Sequence, residues 1–521
     1  MISTQVERLL LYGVRSGLIV DADVRYVRNR ILEVLRIEQY DASGRSEPTG
    51  SAGSIDDLLR PLLDDAAARQ LITPDTTVQR DLWDTAIMGC FVDPPARLAA
   101  DFQATWSSDP TAATDRFHAI NIASNYIRVT RTDRNITWSQ HTTYGPFEMT
   151  INVSKPEKDP RDIAAAAHAP VAHGYPLCLL CPQNEGFAGN SHHPARQNLR
   201  LIPMVLTGEQ WFFQYSPYRY YNEHCIVLSA EHRPMKIDHG TFVRLAEFTA
   251  LLPHYLIGSN ADIPIVGGSI LSHDHFQGGC HTFPMDNAAV LASWAHGDVT
   301  VQVLHWPLAV IRLTGPSAEV IAAASQILDL WRGYDDPAQG VVAFTEGVPH
   351  NSITPIARAL PDGELRLDLV LRNNRTSPQH PDGIFHPHAE IHPIKRENIG
   401  LIEVLGLAVL PGRLATDLDH VARALADGSD LTGELSVHQP MLDELRSGAP
   451  VADFADARVR VKTAAGDFFV RGLEHCGVFG ADPVAGVSRF LGQVGWPGVP
   501  RTFPAAHMPL NAAESDQGKP R

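Results

Sequence analysis

The spacing of hydrophobic residues changes twice along the chain. In residues 1 to about 110, the segments QVERLLLYGVRSGL and DADVRYVRNRILEVLRIEQY carry apolar residues three and four positions apart, which predicts helices. Near residue 125 the spacing changes to two, and FEMTINVSK alternates as a strand does. After residue 400 the helical spacing returns over ENIGLIEVLGLAVLPGRLATDLDHVARALAD. The pattern therefore predicts an α+β protein with a mainly helical N-terminal region.

Between residues about 200 and 400, one order of elements occurs twice. The strand HCIVLS, the helix HGTFVRLAEFTALLPHYL and the strand IPIVGGSI precede the sequence SHDHFQGG. The second series has the strand LAVIRLTG and a helix with Ser317 as its predicted N-cap. Two strands joined by the turn PDG follow, and then HPHAEIHP. An internal duplication explains the pattern most simply, although a chain of this length can show such an echo by chance.

These patterns divide the chain into four predicted parts. Residues 1–124 form the helical region, 125–298 and 299–410 form two related halves with antiparallel sheets and flanking helices, and 411–521 form C-terminal helices. We expect the tail AAESDQGKPR to be disordered and ASGRSEPTGSAGS to be a mobile surface insert.

Composition excludes several classes of function. The chain has 521 residues, of which 44% are hydrophobic and 20% are charged, as in an ordinary globular protein. Its net charge of -16 disfavours nucleic acid as a partner, whereas a basic pocket could still bind a small anion. We see neither a signal peptide nor an apolar run of about 20 residues, so we expect no membrane association and a cytoplasmic location. In the cytoplasm, the six cysteines are expected to bind metal or remain free thiols rather than form disulfides.

The sequence SHDHFQGG carries the strongest chemical signal. On an extended strand His273, His275 and Gln277 share one face, and Asp274 and Phe276 share the other. A neutral imidazole is a nucleophile toward phosphorus, and the neighbouring glycines let backbone amides approach a phosphate. An amide can donate to a phosphate oxygen but cannot take a proton from water, so Gln277 favours transfer over hydrolysis. Two structural histidines on a half-buried strand are the alternative.

A cysteine pair and a histidine-rich segment are further candidate sites. Cys178 and Cys181 have the spacing of half a tetrahedral zinc site, which needs two further ligands, and a metal-free pair is the alternative. The sequence HPHAEIHP is expected to place four side chains on one face. In a non-catalytic copy of the first motif they would hydrogen bond within the sheet or contact substrate: His386, His388, Glu390 and His392.

Basic and amide clusters are candidate phosphate-binding groups. Any one of their arginines could instead be a solvated surface charge. The glycines of VGGS add a place where backbone can approach a ligand closely. The residues are Arg196 and Asn198; Arg372, Asn373, Asn374 and Arg375; Lys155 and Lys158; and Gly268 and Ser269 of VGGS.

Several long motifs resemble the class II galactose-1-phosphate uridylyltransferases. They are YPLCLLCPQNEG, HPARQN, WFFQYSPYRYYNEHCIVLSAEHRPMKI, PHYLIGSNADIPIVGGSILSHDHFQGG and LRNNRTSPQHPDGIFHPHAEIHPIKRENIGLIEVLGLAVLP. The likeness covers most of residues 5–415. It implies a member of the histidine-triad superfamily with two related halves. Such an enzyme moves UMP from UDP-glucose to galactose 1-phosphate through a uridylyl-histidine, a step of galactose metabolism in the Leloir pathway.

The resemblance also implies roles for individual residues. His275 corresponds to the nucleophile and Gln277 to a ligand of the transferred phosphate. A structural zinc site combines Cys178 and Cys181 with His232 and His273, and a second metal lies near His386, His388 and Glu390. Asn260 and residues 213–218 resemble positions around the uridine, and their alternative is core and turn.

Members of this family commonly form dimers, so the resemblance implies a homodimer. Two rival functions stay open. The first rival is a histidine-triad nucleotide hydrolase or phosphoramidase. The second is a non-catalytic metal- or nucleotide-binding protein.

Overall fold

The computed structural model describes residues 2–41, 53–154, 174–268, 270–493 and 496, and the backbone of 501–502. Four predicted features lie outside these residues: most of the surface insert at 42–54, Lys155 with Lys158, Ser269, and the tail at 512–521. Among the described residues, no helix combines the length and the apolar character that a membrane span requires.

The N-terminal region is helical, as its hydrophobic spacing predicts. The buried leucines of its first and third helices pack into a cluster of their own, which includes Leu9, Leu10, Leu58 and Leu62. The third helix starts at a capping box of Ser54 and Asp57. The helices are α1 (Ile2–Arg15), α2 (Val24–Val34), α3 (Ile55–Ala68), α4 (Thr77–Gly89), α5 (Pro95–Trp106), α6 (Pro110–Ala123) and the short α7 (Val129–Thr132).

Two sheets follow in the chain. The smaller sheet has β1 (Ile136–Thr142), β2 (Gly145–Asn152) and β15 (Leu407–Pro411), which is parallel to β2. The larger has 11 antiparallel strands in the order β16-β8-β9-β10-β14-β13-β6-β7-β5-β4-β3. Their bounds are β3 (Ile202–Leu206), β4 (Glu209–Tyr215), β5 (Cys225–Ser229), β6 (Leu256–Gly258), β7 (His275–Gly279), β8 (Val290–His296), β9 (Val299–Leu304), β10 (Val310–Gly315), β13 (Asn351–Ala359), β14 (Leu365–Asn373) and β16 (Arg501–Thr502). A separate hairpin pairs β11 (Phe344–Thr345) with β12 (Val348–Pro349).

The large sheet consists of two halves with the same topology. Each half has a three-stranded meander, then a helix, then two strands, of which the second pairs with the last strand of the meander. The helices are α8 (His239–Leu251) and α9 (Ser317–Arg332). The halves join where β6 pairs with β13. The predicted duplication of helix and sheet is confirmed, but the histidines are not part of it, because His275 opens β7 whereas HPHAEIHP follows β14.

The two faces of the large sheet have different coverings. On one face, Ile257, Phe276 and Leu369 share a hydrophobic core with α8 and α9. On the other, Leu256 and Val370 join a second core with the small sheet and most of the C-terminal helices. These helices are α10 (Leu401–Val404), α11 (Leu414–Asp427), α12 (Gln439–Arg446) and α13 (Phe454–His475), while α14 (Pro483–Gly492) packs on the first core.

Four predictions of local structure are wrong. IPIVGGSI is not a strand: Pro264 lacks an N–H and Ile265 has φ of 72°, so residues 263–268 turn. HPHAEIHP, with a proline at each end, holds only the 3-10 turn Ala389–Ile391. The predicted helix after residue 400 is interrupted by β15, which follows Gly406 with φ of 98°. Ser317 is the first residue of α9, not its N-cap, because the extended Pro316 holds that position.

Candidate active site

Strand β7 presents different side chains to its two faces. The Phe276 ring stacks on Trp211 with 4.9 Å between centroids, on the face covered by helices. The Asp274 carboxylate lies 3.4 Å from the Arg233 guanidinium, which in turn lies over Trp211. His275 and Gln277 therefore point to the opposite face, as the alternation predicts. The strand begins only at His275, so the backbone at His273 bends out of the sheet.

His275 has the protonation state of a nucleophile. Its side chain is only 5% exposed, and its Nδ1 donates a hydrogen bond to the carbonyl oxygen of His273 at 2.8 Å. Burial lowers the pKa of His275 to about 4, so the ring is neutral at pH 7. Since a carbonyl oxygen only accepts, the proton is on Nδ1 and the lone pair is on Nε2.

Gln277 lies in a cleft of about 810 Å³. Asn260 and Gly268 also line it, and a Cβ at Gly268 would be 2.8 Å from the amide nitrogen of Asn260, so a larger residue there would displace the Asn260 side chain. Two lining residues that the sequence did not suggest are Lys395 and Glu403. The Lys395 ammonium donates to Glu403 and to the carbonyl of Val409, both at 2.9 Å, so its charge is compensated. The cleft has both polar and apolar walls, and its neutral polar groups include the amides of Gln277, Asn260 and Asn398.

Four predicted metal ligands meet beside His275. The Cys178 and Cys181 sulfurs are 3.5 Å apart, and the Nδ1 atoms of His273 and His232 lie 3.3 and 3.2 Å from Cys178 and Cys181 respectively. Ligands at 2.0–2.3 Å from a tetrahedral zinc ion are separated by about 3.3–3.8 Å, so these residues fit it. His273 Nε2 donates to the carbonyl of Ser229 at 2.9 Å, which leaves Nδ1 unprotonated for a metal.

A second group of candidate ligands differs from the predicted one. His388 and Glu390 come together with His475, and their ligand atoms lie within 4.8 Å of one another. The His388 and His475 rings stack at 4.1 Å. His386 is outside this group, and its buried Nδ1 donates to the carbonyl of Pro387. The sequence missed His475, which lies on α13 far along the chain, because no spacing connects it to HPHAEIHP.

The four candidate phosphate-binding residues of LRNNR each contact a different part of the structure. Arg372 is 1% exposed and donates to the carbonyl of Ile399, while its Nε and Nη1 have no partner among the described residues. Asn374 and Arg375 hold loops instead: they donate to the carbonyls of Pro264 and Gly340. Asn373 likewise binds Asn351, within the sheet. None of these side chains lines the cleft of Gln277.

Arg196 and Asn198 line a separate pocket of about 190 Å³ beside the N-terminal helices. The Arg196 guanidinium lies 5.8 Å from the centre of the Tyr126 ring. Asn198 is buried and donates to the carbonyl of Ser124, which gives it a structural contact. The predicted uridine segment 213–218 is mostly core, since Phe213 and Tyr215 are fully buried under the helices.

Fold and site together define an α+β protein with a buried neutral histidine beside a large cleft and a Cys2His2 cluster. Comparison with known proteins extends this description. Models of the N-terminal and C-terminal domains of galactose-1-phosphate uridyl transferase match residues 18–234 and 249–440. The chain therefore belongs to the galactose-1-phosphate uridylyltransferase family.

Individual relatives match nearly the whole chain. The galactose-1-phosphate uridylyltransferase of Caldanaerobacter subterraneus subsp. tengcongensis is 47% identical, over 92% of this chain and 94% of that protein. The enzyme of Bacillus subtilis is 45% identical, over 94% and 97%. Among solved structures, yeast Ap4A phosphorylase Apa2 matches 60% of this chain and 91% of its own with a TM-score of 0.31 and 11% identity, too weak a likeness to bear on function.

Proposed function

We propose that this chain moves UMP from UDP-glucose to galactose 1-phosphate through a covalent intermediate on His275. The observation that carries the proposal is the state of His275: buried, neutral and protonated on Nδ1, next to Gln277 at the cleft. The activity for which the relatives are named agrees with it. The hydrolase alternative is less favoured because the Gln277 amide cannot accept a proton from water.

The reaction has two displacements at one phosphorus. The Nε2 lone pair of His275 attacks the α-phosphorus of UDP-glucose, and glucose 1-phosphate leaves. A phosphate oxygen of galactose 1-phosphate then attacks the same phosphorus, and His275 leaves with its electron pair to give UDP-galactose. Both leaving and attacking groups are phosphate anions, so the chain needs to supply orientation and charge stabilisation more than protons. The Gln277 amide donates to an oxygen of the transferred phosphate.

Zinc is the metal that the first ligand cluster suits best. Cys178, Cys181, His232 and His273 offer two sulfur and two nitrogen ligands, which leave no open position for substrate. A zinc ion there would have a structural role. It would fix His273, whose carbonyl holds the Nδ1 proton of His275. For the second cluster, we replace His386 by His475 in the proposed ligand set.

The partners of this protein are its small-molecule substrates. We propose that it assembles as a homodimer, which native mass spectrometry should show. The four-part division is proposed as the domain organisation, with the boundary at 124 kept, the one at 298 moved ahead of β8, which opens the meander of the second half, and the one at 410 moved beyond β15. Limited proteolysis would test it.

The covalent intermediate gives a direct test. The purified protein is incubated with UDP-glucose alone, and its intact mass is measured under non-acidic conditions. We expect a uridylyl-sized increase that maps to His275 and disappears on addition of galactose 1-phosphate. His275→Ala should abolish both the adduct and transfer, whereas His239→Ala, an exposed histidine that hydrogen bonds Ser325, should change neither. Consumption of UDP-glucose to free UMP without an adduct would favour hydrolysis and contradict the proposal.

A further inference from the structure

His224 is a buried histidine without a partner on the cleft side of the sheet. It is 4% exposed, and neither of its ring nitrogens has a hydrogen-bond partner of good geometry among the described residues. An unpartnered buried polar group costs about 1–3 kcal/mol. Burial lowers the pKa of His224 to about 4, so the ring is neutral at pH 7. The proposed reaction does not yet use this ring.

The polar side chain that interacts with the His224 ring is Gln277. The register pairs Ile226 with Gln277, which puts His224 diagonally opposite Gln277 on the same face. The Gln277 carboxamide lies close enough to offset part of the fall in the pKa of His224. The remaining surface of the ring is covered by Tyr221 and Tyr220, with centroids at 4.6 and 5.4 Å.

The preceding residue fixes the direction of His224. Glu223 has φ of 53°, in the left-handed region that a residue with a side chain rarely adopts. Its buried carboxylate accepts hydrogen bonds from the hydroxyls of Tyr255 and Tyr215 on the helix-covered face. With Glu223 held on one face, His224 is directed to the other. The arrangement therefore places an imidazole beside Gln277 at a cost in backbone strain.

We propose that His224 is a positioning residue for Gln277: its ring N–H donates to the carboxamide oxygen, so that the amide NH2 faces the transferred phosphate. The inference rests on the proposed function. An unassisted carboxamide can present either its oxygen or its nitrogen to the cleft, and only the nitrogen binds an anion.

Three variants of the full-length protein test the inference. His224→Phe keeps the ring volume and removes the donor, whereas His224→Gln keeps a donor. His118→Phe is the matched control, because His118 is also largely buried beside a tyrosine ring, 4.9 Å from Tyr215, on the helix-covered face. We measure kcat and KM for transfer and the ratio of UMP to UDP-galactose formed. His224→Phe should lower kcat roughly three- to tenfold, the loss of about one hydrogen bond, with little change in KM, and should raise that ratio.

The outcomes separate three cases. Recovery of kcat by His224→Gln, and no further loss when His224→Phe is added to Gln277→Ala, would support the inference. A folded His224→Phe with wild-type kcat and product ratio would overturn it, provided that Gln277→Ala is impaired. If Gln277→Ala itself transfers at the wild-type rate, the role of Gln277 in the proposed function fails first.

A measurement on the protein with His224 in place covers the case in which the phenylalanine variant does not fold. Nitrogen-15 NMR of labelled histidine rings in His275→Ala should show a ring N–H of His224 that becomes hydrogen bonded when UDP-glucose binds. An unchanged His224 ring signal at saturating UDP-glucose would contradict the inference.

Discussion

Adding one methyl group at Gly278 should reduce the activity of the protein much more than its stability. It lies in β7 one residue after Gln277 and pairs with Cys225 on one side and Ile257 on the other. A Cβ at residue 278 would be 2.4 Å from the carbonyl oxygen of Leu256. Because real Cβ contacts essentially never fall below 3.0 Å, β6 and β7 would have to separate by roughly 0.6 Å or more. The obstacle is backbone, which cannot rotate away as a side chain can.

The expected loss of activity in Gly278→Ala is larger than the loss of stability. Overpacking of this kind costs about 1–3 kcal/mol, which in a chain of this size lowers the melting temperature by only a few degrees. The same shift moves His275 and Gln277 relative to the cleft. A misplacement of about 1 Å can cost 100-fold in rate, so we expect kcat for transfer to fall by one to two orders of magnitude.

Thermal melting and transfer kinetics on the same preparations test this prediction. Gly492→Ala is the control, because Gly492 ends α14 and its added Cβ would meet nothing within 4 Å. The control should match the wild type in both measurements. A Gly278→Ala protein with wild-type kcat would show that the strand tolerates the methyl group without moving its functional residues, and would refute the reasoning.

Three further predictions concern metal, pH and charge. Cys178→Ser should lose the bound zinc and lower both the melting temperature and kcat, and wild-type metal content by elemental analysis would contradict the ligand assignment. The pKa of His224 is about 4 in the folded protein and about 6.5 in the unfolded chain. The free energy of unfolding is therefore unaffected by this group above pH 6.5 and falls by roughly 3 kcal/mol as the pH drops toward 4. Melting between pH 7.5 and 5 should therefore decline less steeply in His224→Phe than in the wild type, and equal slopes would argue against a buried neutral ring. Asp368→Ala should cost about 3–5 kcal/mol in denaturant unfolding because it leaves the buried Arg312 without its carboxylate, whereas Arg312→Met with Asp368→Leu should recover most of that loss; similar stability of the single and double variants would contradict this.

Hydrophobic periodicity predicts those helices and strands whose secondary structure depends mainly on their local sequence. Helix α1, strands β5, β13 and β14 and the connecting helices follow apolar patterns long enough to be unambiguous. The sequence predicts helix at β15 because the apolar run there is short. The strand forms through parallel pairing with β2, which lies far earlier in the chain. The strand predicted at residues 263–268 is wrong for a local reason. Pro264 and the left-handed backbone of Ile265 override the β preference of isoleucine and valine.

The candidate site shows the same division between local and distant information. His275 and Gln277 share one short segment, so their common face could be predicted from alternation alone. His224, Lys395 and His475 reach their positions through the pairing of distant strands and helices, and no spacing in the sequence connects them to the motifs. The complete Cys2His2 set required the family resemblance, since two cysteines by themselves do not identify their partners.

The two halves of the sheet explain why a duplicated fold does not give a duplicated site. In the first half the beginning of β7 carries His275, whose neighbours leave it neutral. At the comparable beginning of β14 in the second half stands Arg366, which together with Arg358 forms ion pairs with Asp286. A neutral imidazole can give its lone pair to phosphorus, whereas a guanidinium has none to give. An ion-paired arginine at this position cannot act as a nucleophile, which agrees with placing the proposed reactive groups in the first half.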